Sequence, residues 1–595
     1  MVLNPTCYRA LNQAAREIRL LLLSPGSRDT TISCSLIYLS LNKPDTVPYE
    51  ALSYCWGDPR DPEEISVCSN PNNVEGPKEQ RMSITSNLHD ALKCFRPRTG
   101  PGRLVWIDAI CVNQADLTER SSQVSLMRDI YCNASQVLVW LGKGDAKTHM
   151  FIHQINNINE RYQKLGRRDL VKDDLISLHN PVMEDAVSIH DFIDDWPLFE
   201  MTRFRRTWVV QEIFNAKTAI VFCGQDILTW PMVLRVNQCI LLAGAKANSA
   251  YKVLMPPIYD DFFRNRVVVK EKTSWSTKIG ILEILVKGLD LDATDPRDKI
   301  FAMLQFGEET QDINPLPLEL LTDYHKSVAD VFADFTKWWI VEHQSLRILS
   351  AIQALEGRTW QETTWRRASR FPQDHPSWSW WYRGQSNWAI GLLGISIDCP
   401  YRAAADTKPD VSKIAKCKNP SILPLIGIRV GTIDVIKSYP YYLSPAKYEL
   451  LHKAYVGIFD PLNYTGKWSN QMGSKNTLSY VDFDDPVIKN RHFSVHPEFS
   501  ADSGAVECHS ECFFEMDKRS VGLCPFSSHP GDLVVVFCGG QVPYVVRELI
   551  SPEIEGCGSV RKYTIIGECF AEGYMEGQAI QQRRNPAQFE TFCLI

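Results

Sequence analysis

The feature that most constrains this chain is a set of short, unbroken apolar runs separated by helix-period segments between residues 49 and 224. Leu104–Ile107, Val137–Leu141 and Ala219–Cys223 are continuously apolar, and each is ended by Asp108, Gly142 or Gly224. Strands covered on both faces read this way, whereas strands with one wet face alternate. Between the runs, Leu88, Ala91, Leu92 and Phe95 repeat at i, i+3, i+4 and i+7, a helix face that Pro97 stops. Asp116-Leu-Thr-Glu119 reads as a capping box opening a helix on which Val124, Met127 and Tyr131 share a face. A further helix is expected near Phe204–Ala216, before the last run. Tyr49–Trp56 reads as a half-buried strand closed by Gly57-Asp58-Pro59, with a polar insertion, Arg60–Arg81, that holds at most a short strand at Ile65–Val67. Strands alternating with helices predict a parallel α/β sheet with right-handed crossovers.

Four segments follow from this pattern. Residues 1–48 form a strand-rich lead-in, with strands at Ile18–Leu23 and Ile32–Leu39 around the turn Ser24-Pro25-Gly26. The α/β module occupies 49–225, including a charged, helical stretch from Asp145 to about Trp196. A mainly helical region spans 226–400: Asp295-Pro296 suits the start of a helix holding Ile300, Phe301 and Leu304, and Ser327–Val341 carries a broad apolar face. The aromatic run Trp378–Tyr382 closes it. Residues 401–595 are strand-rich, with a hairpin-like arrangement in Leu533–Cys538, Gly539-Gly540 and Val542–Arg547.

Composition narrows the function classes. With 44% hydrophobic and 23% charged residues the chain is globular, not disordered or fibrous. A net charge of −6 argues against a general nucleic-acid binder. Eighteen scattered cysteines are far fewer than a disulfide scaffold needs, so reduced thiols are expected. The apolar run Leu20–Leu23 is too short for a signal, and no stretch reaches the roughly 18 apolar residues that cross a bilayer. A cytoplasmic protein is therefore expected, with the sequons at Asn133 and Asn463 unused.

Several chemistry motifs are missing or weak. There is no P-loop, no H-E-x-x-H and no nucleophile elbow. His149 and His153 share a helix face at i, i+4 but lack a third ligand, so solvated histidines are expected there. Cys508-x3-Cys512 with Cys524 lacks a partner pair of zinc-site spacing. No metal and no resident cofactor are expected.

Ligands of open parallel sheets gather at the carboxyl ends of the strands. Those ends supply Ser53, Tyr54, Trp56 and Gly57, then Asp108, Asn113 and Gln114, then Gly142. On the helix before the last strand, Trp208 and Glu212 stand at i and i+4, on one face, with Val209, Ile213 and Ala216 toward the core. A carboxylate beside an aromatic plate suits cleavage of an N-glycosidic bond: the anion stabilises an oxocarbenium ion or holds a ribose hydroxyl while the ring stacks. Plainer readings stand beside this one. Trp208 serves equally as a core residue, Glu212 as the partner of Arg205 or Arg206, and Asp108 as a cap of the following turn.

YEALSYCWGD (49–58), ITSNLHDALKCFR (84–96), WIDAICVNQADLTERSSQVSLMRDIYCNASQVLVWLG (106–142) and FRRTWVVQEIFNA (204–216) together resemble the fungal heterokaryon-incompatibility (HET) family, block by block and in order. EIRLLLLSPG, DPRDKIFAML, PSW and PGDLVVVFCGGQVPYVVR resemble flanking parts of full-length members. Cys55 and Cys111 depart from the aliphatic or small residues that many members carry there. The resemblance implies an α/β HET domain with a TIR- or flavodoxin-like parallel sheet and flanking helices. It also implies a role in fungal non-self recognition, in which fusion of incompatible strains triggers programmed cell death, an innate immunity-like function. HET domains are similar to TIR domains, some of which hydrolyse NAD with a tryptophan and a glutamate four residues apart. That likeness implies Glu212 as catalytic, with Trp208, Asp108, Ser53, Tyr54, Trp56 and Gly57 binding NAD as substrate. The alternative is a non-enzymatic death effector that signals by self-association or through an unknown protein partner.

Overall fold

All three apolar runs become central strands of one nine-stranded sheet in the computed structural model of the chain. The structure describes residues 8–42, 47–68, 79–164, 205–234, 279–288, 291–352 apart from 312 and 314, 375–380, 399, 401–437, 511–516, 520–549 apart from 526, 561–582 and 589–595. The strands are β1 (Glu17–Leu23), β2 (Ser33–Ser40), β3 (Glu50–Tyr54), β4 (Pro62–Cys68), β5 (Glu79–Thr85), β6 (Arg103–Trp106), β7 (Val137–Trp140), β8 (Ala219–Cys223) and β9 (Asp226–Thr229). Their spatial order is β5-β4-β2-β1-β6-β3-β7-β8-β9.

The sheet is mixed, which corrects the expectation of a parallel one. β6, β3, β7 and β8 are mutually parallel. β1 runs antiparallel to β6 and β2, β9 to β8, and β5 to β4. Connection type accounts for much of this: the tight turn after β8 returns β9 antiparallel, whereas the helical connections from β6 to β7 and from β7 to β8 return strands in parallel; β2 and β4 also pair in parallel. The lead-in strands thus lie in the same sheet as the module. The polar insertion forms the β4–β5 hairpin instead of a loop with one short strand. β3, expected to be half-buried, is buried at four of its five residues, because β6 and β7 flank it on both sides.

Helix Ser86–Phe95 buries Leu88, Ala91, Leu92 and Phe95, the expected face, and Phe95 meets Trp140 and Phe222 edge-on at 5.8 and 4.9 Å. The helix after Asp116 is interrupted at Leu126. Leu117–Ser125 and Met127–Asn133 are separate, so Val124 does not share one continuous helix with Met127 and Tyr131. Asp116 caps the first by accepting from the Thr118 and Glu119 amides at 3.0 Å. Glu119 does not complete the capping box. Its carboxylate instead meets the fully buried Arg19 of β1 at 2.8 Å and accepts from the Asn113 amide at 2.7 Å. Burial opposes the Arg19 charge, but Glu119 more than restores it and raises the guanidinium pKa.

Of the charged stretch Asp145–Trp196, Ala146–Lys164 is helical, and the rest lies outside the described residues. The described parts of 226–400 include β9 and the helices Ile281–Lys287, Asp298–Phe301 and Val328–His343, the last capped by Ser327. The helix expected after Asp295-Pro296 is a single turn, followed by a 3-10 turn at Leu304–Phe306.

The chain divides into two units, 1–316 with 321–326, and 317–320 with 327–595. The second holds an eight-stranded sheet: β10 (Leu423–Lys437), β11 (Glu511–Met516), β12 (Ser520–Pro525), β13 (Leu533–Phe537), β14 (Tyr544–Leu549), β15 (Lys562–Glu568), β16 (Phe570–Ala571) and β17 (Glu590–Leu594). β13 and β14 pair as the expected hairpin. The fifteen-residue β10 pairs in turn with β17, β13 and β11, which closes β13-β14-β15-β17-β10 into a ring. Gly427 sits where the pairing changes partner; a Cβ there would lie 2.8 Å from Phe537 Cδ1 and 3.0 Å from the Val536 carbonyl oxygen. Gly427→Ala is therefore expected to overpack the ring and cost about 1–3 kcal/mol, read as a lower thermal midpoint. An unchanged midpoint would show that β10 can move aside.

Candidate functional site

Parallel register brings the carboxyl ends of the central strands together: Ala51 stands beside Trp106, and Tyr54 beside Trp140, which in turn stands beside Phe222. The chain leaving β3 must turn sharply there. Gly57 does so at φ +84°, where a Cβ would also lie 3.1 Å from Asn87 Cβ. Asn87 fastens the turn, donating to the Cys55 carbonyl at 2.6 Å and accepting from Trp140 Nε1 at 3.1 Å. Asp108 opens the short helix Asp108–Cys111 directly after β6.

Two carboxylates meet this loop. Trp56 Nε1 donates to Asp108 Oδ2 at 2.7 Å and keeps the indole 36% exposed. Asp108 Oδ1 also accepts from the Ala109 amide at 2.7 Å, but Asp108 is the first residue of the short helix and Ile107 precedes it at the cap position, so the reading of Asp108 as a cap is not met. The Ser53 hydroxyl donates to the carboxylate of Glu212, which is 3% exposed. Arg206 donates to the Tyr54 carbonyl. Burial works against the Arg206 charge, but Glu212 and Asp108 stand close enough to raise its pKa. Burial pushes the Asp108 carboxyl up, against Arg206 and the bonds from Trp56 and Ala109. The Tyr54 hydroxyl is buried beside Asp108 without a hydrogen bond of normal geometry, and burial raises its pKa well above the ordinary value.

Ser53, Tyr54, Trp56, Asp108 and Glu212 are thus brought together through direct bonds or through Arg206. Gly57 serves the turn. Trp208 is not among the bonded residues of this cluster: on the helix Thr207–Phe214 it is half-buried, near enough to Asp298 to lower that carboxyl's pKa. Val209 and Ile213 on that helix, and Ala216 beyond it, are buried as expected. Arg205 pairs with Asp292 at 3.5 Å, leaving Arg206 as the cation near Glu212. Gly142 takes φ +120° and accepts from the Gly224 amide at 2.7 Å, while Gln114 reaches back to the Asp108 carbonyl at 3.0 Å.

Sequence reasoning did not single out Asn87 or Asp298, and weighed Arg206 only as a neutralising partner. Asn87 lies within the second family-like block and Asp298 within DPRDKIFAML, but periodicity gives neither a role. His149 is bound to Asp226 at 2.8 Å. Cys512 stands opposite Cys524 across β11 and β12, and Cys508 lies outside the described residues. Among the described residues no group of three or more His, Cys, Asp or Glu stands close enough to hold a metal ion. No helix among them is long and apolar enough to cross a membrane.

Comparison with known proteins places two domains on the chain. Residues 49–212 match the family described as heterokaryon incompatibility protein (HET), and residues 505–592 match the Het-6 β-barrel domain. The chain is similar to heterokaryon incompatibility protein 6, OR allele, of Neurospora crassa, at 25% identity over 98% of this chain and 97% of that protein. No solved structure matches it.

Burial raises the Asp298 carboxyl from the ordinary 3.8 to about 6, despite the lowering effect of the bond from the Tyr324 hydroxyl and of the nearby Trp208 indole. The folded chain therefore binds that proton more tightly than the unfolded chain does. Its stability should fall as pH rises from about 4 to about 6, by on the order of 3 kcal/mol from this group. Asp298→Asn should remove that slope in thermal midpoints measured across the range; equal slopes in both proteins would contradict the assignment.

Proposed function

We propose that this chain, with a HET domain over 49–212 and a Het-6 β-barrel domain over 505–592, acts in fungal non-self recognition. The observation that carries this reading is the alignment with an incompatibility protein along nearly the whole of both chains, 98% and 97%. Sharing a single domain would support only a common fold.

At the level of chemistry, we infer that the HET domain cleaves the nicotinamide–ribose bond of NAD in the cytoplasm of fused cells, and that this kills the compartment. Support comes from the strand-end cluster. A substrate ribose set against Ser53–Gly57 would meet two carboxylates, Asp108 and Glu212, with the Arg206 guanidinium near both to attract phosphate. The exposed Trp56 offers a stacking plate whose N–H is already held by Asp108. Glu212 would stabilise the ribosyl cation as the glycosidic bond breaks; nicotinamide leaves with the bonding electrons, and water adds to the anomeric carbon and gives up a proton to solvent, leaving ADP-ribose. Trp208 would set the wall beside it.

A second reading rests on the burial of Glu212 and its bond to Ser53. In that reading the carboxylate ties the helix to β3, and the domain signals by self-association or by docking a protein partner.

Nicotinamide release from NAD by the full chain separates the two. Glu212→Gln, which keeps size and a hydrogen-bond acceptor, is expected to lower turnover by about 10²–10³-fold and to abolish cell death on overexpression. Unchanged killing by Glu212→Gln, with association intact, would sink the enzymatic reading and favour the module.

A further inference from the structure

The helix that carries Asp108 is a single turn, Asp108–Cys111, too short to be stable by itself. A helix end leaves its last carbonyls without amide partners in the helix, and one turn leaves nearly all of them so. Two of these carbonyls are met from the lead-in, outside the HET match. The Tyr8 hydroxyl donates to the Ile110 carbonyl at 2.9 Å, and Arg19 Nη1 to the Cys111 carbonyl at 3.1 Å. Ile110 and Cys111 are fully buried, so an unmet carbonyl at either would cost free energy. The chain beyond the helix is fastened as well, because the Asn113 amide donates to Glu119, the partner of Arg19.

Tyr8 is itself held in place. The Arg19 guanidinium lies over its ring at 4.6 Å, and Arg19 Nη2 donates to the carbonyl of the next residue, Arg9, at 2.6 Å. The Arg9 amide donates to the Tyr38 hydroxyl of β2 at 3.0 Å. Its guanidinium donates to both carboxylate oxygens of Glu17, at the start of β1, at 3.0 and 2.8 Å. Strands β1 and β2 thus place Tyr8, and β1 pairs directly with β6, which leads into the helix. Asp108 stands at the other end of that helix, where its carboxylate receives Trp56 Nε1 and the Ala109 amide, each at 2.7 Å.

We propose that Tyr8 is a positioning residue whose hydroxyl fixes the single-turn helix, and thereby the Asp108 carboxylate with the Trp56 indole bonded to it. The working unit of this HET domain then begins at Tyr8 and not at residue 49. The consequence for the reaction rests on the NAD-cleaving reading above; the positioning itself does not. In that reading Tyr8 acts on the substrate only through Asp108, which holds the ribose, so its loss weakens binding and leaves the bond-breaking step alone.

The test uses the full chain and four proteins: wild type, Tyr8→Phe, Asp108→Asn and the double variant. Tyr8→Phe removes one hydroxyl and keeps the ring beneath Arg19. Deuterium should enter a peptide spanning 107–116 about three- to tenfold faster in Tyr8→Phe than in the wild type, the weight of one hydrogen bond, with exchange in β7 and β8 unchanged. For nicotinamide release, Tyr8→Phe should raise KM about three- to tenfold at unchanged kcat. Where Asp108 is already Asn, the same change should raise KM by less than about twofold, because both act through one group. Equal exchange of the 107–116 peptide in wild type and Tyr8→Phe would overturn the positioning role. So would faster exchange spread over β7 and β8, a fall in kcat at unchanged KM, or KM losses that multiply in the double variant. Absence of nicotinamide release from the wild type would instead overturn the NAD reading, and the exchange comparison would still decide the role of Tyr8.

Discussion

A carboxylate removed from water must be met by donors or by a cation, and in the first unit Glu212 is one such carboxylate. Its partners lie on different parts of the chain. Ser53 comes from the central strand β3, and Arg206 precedes the helix that carries Glu212 itself. Holding both in place requires that helix to cross the sheet near the carboxyl end of β3. The parallel set β6-β3-β7-β8 provides that end, because its strands all run in one direction and β3, β7 and β8 finish level with one another. Asp108 and Trp56 gather there for the same topological reason.

A buried ion pair holds another part of the same unit. Arg19 enters from β1, the strand hydrogen-bonded antiparallel to β6, and Glu119 comes from the helix that follows Asp108–Cys111. Removing either partner would leave a charge with no water to answer it. The pair therefore makes the strands before residue 49 a condition for the loop that carries Asp108. Arg19 also donates to the Cys111 carbonyl at 3.1 Å, which fixes the far end of that short helix.

Much of this was legible in the sequence, for identifiable reasons. Val137–Trp140 and Ala219–Cys223 read as buried strands because no polar residue interrupts them, and the Leu88–Phe95 face reads as a helix because its spacing fits no strand. The site residues were legible as strand ends. Strand direction was not, because local composition carries no record of whether a neighbour arrives by a hairpin or by a crossover. The fate of Glu119 was hidden for a similar reason: a capping box is a four-residue pattern, while its buried partner, Arg19, lies one hundred residues away. Trp208 and Glu212 shared a helix face on paper. The actual partner of Glu212, Ser53, depends on a long-range contact that spacing cannot report.

The long strand β10 has a consequence for how the second unit opens. Three neighbours read its register in succession, with irregularities at Arg429–Gly431 within the β13 pairing and at Ile433–Val435 within the β11 pairing. None of the three can be released without exposing amides that the adjoining segment of β10 still holds. Deuterium should therefore enter β11, β13 and β17 at rates set by one shared opening, so that the ring and its β11–β12 extension behave as a single foldon.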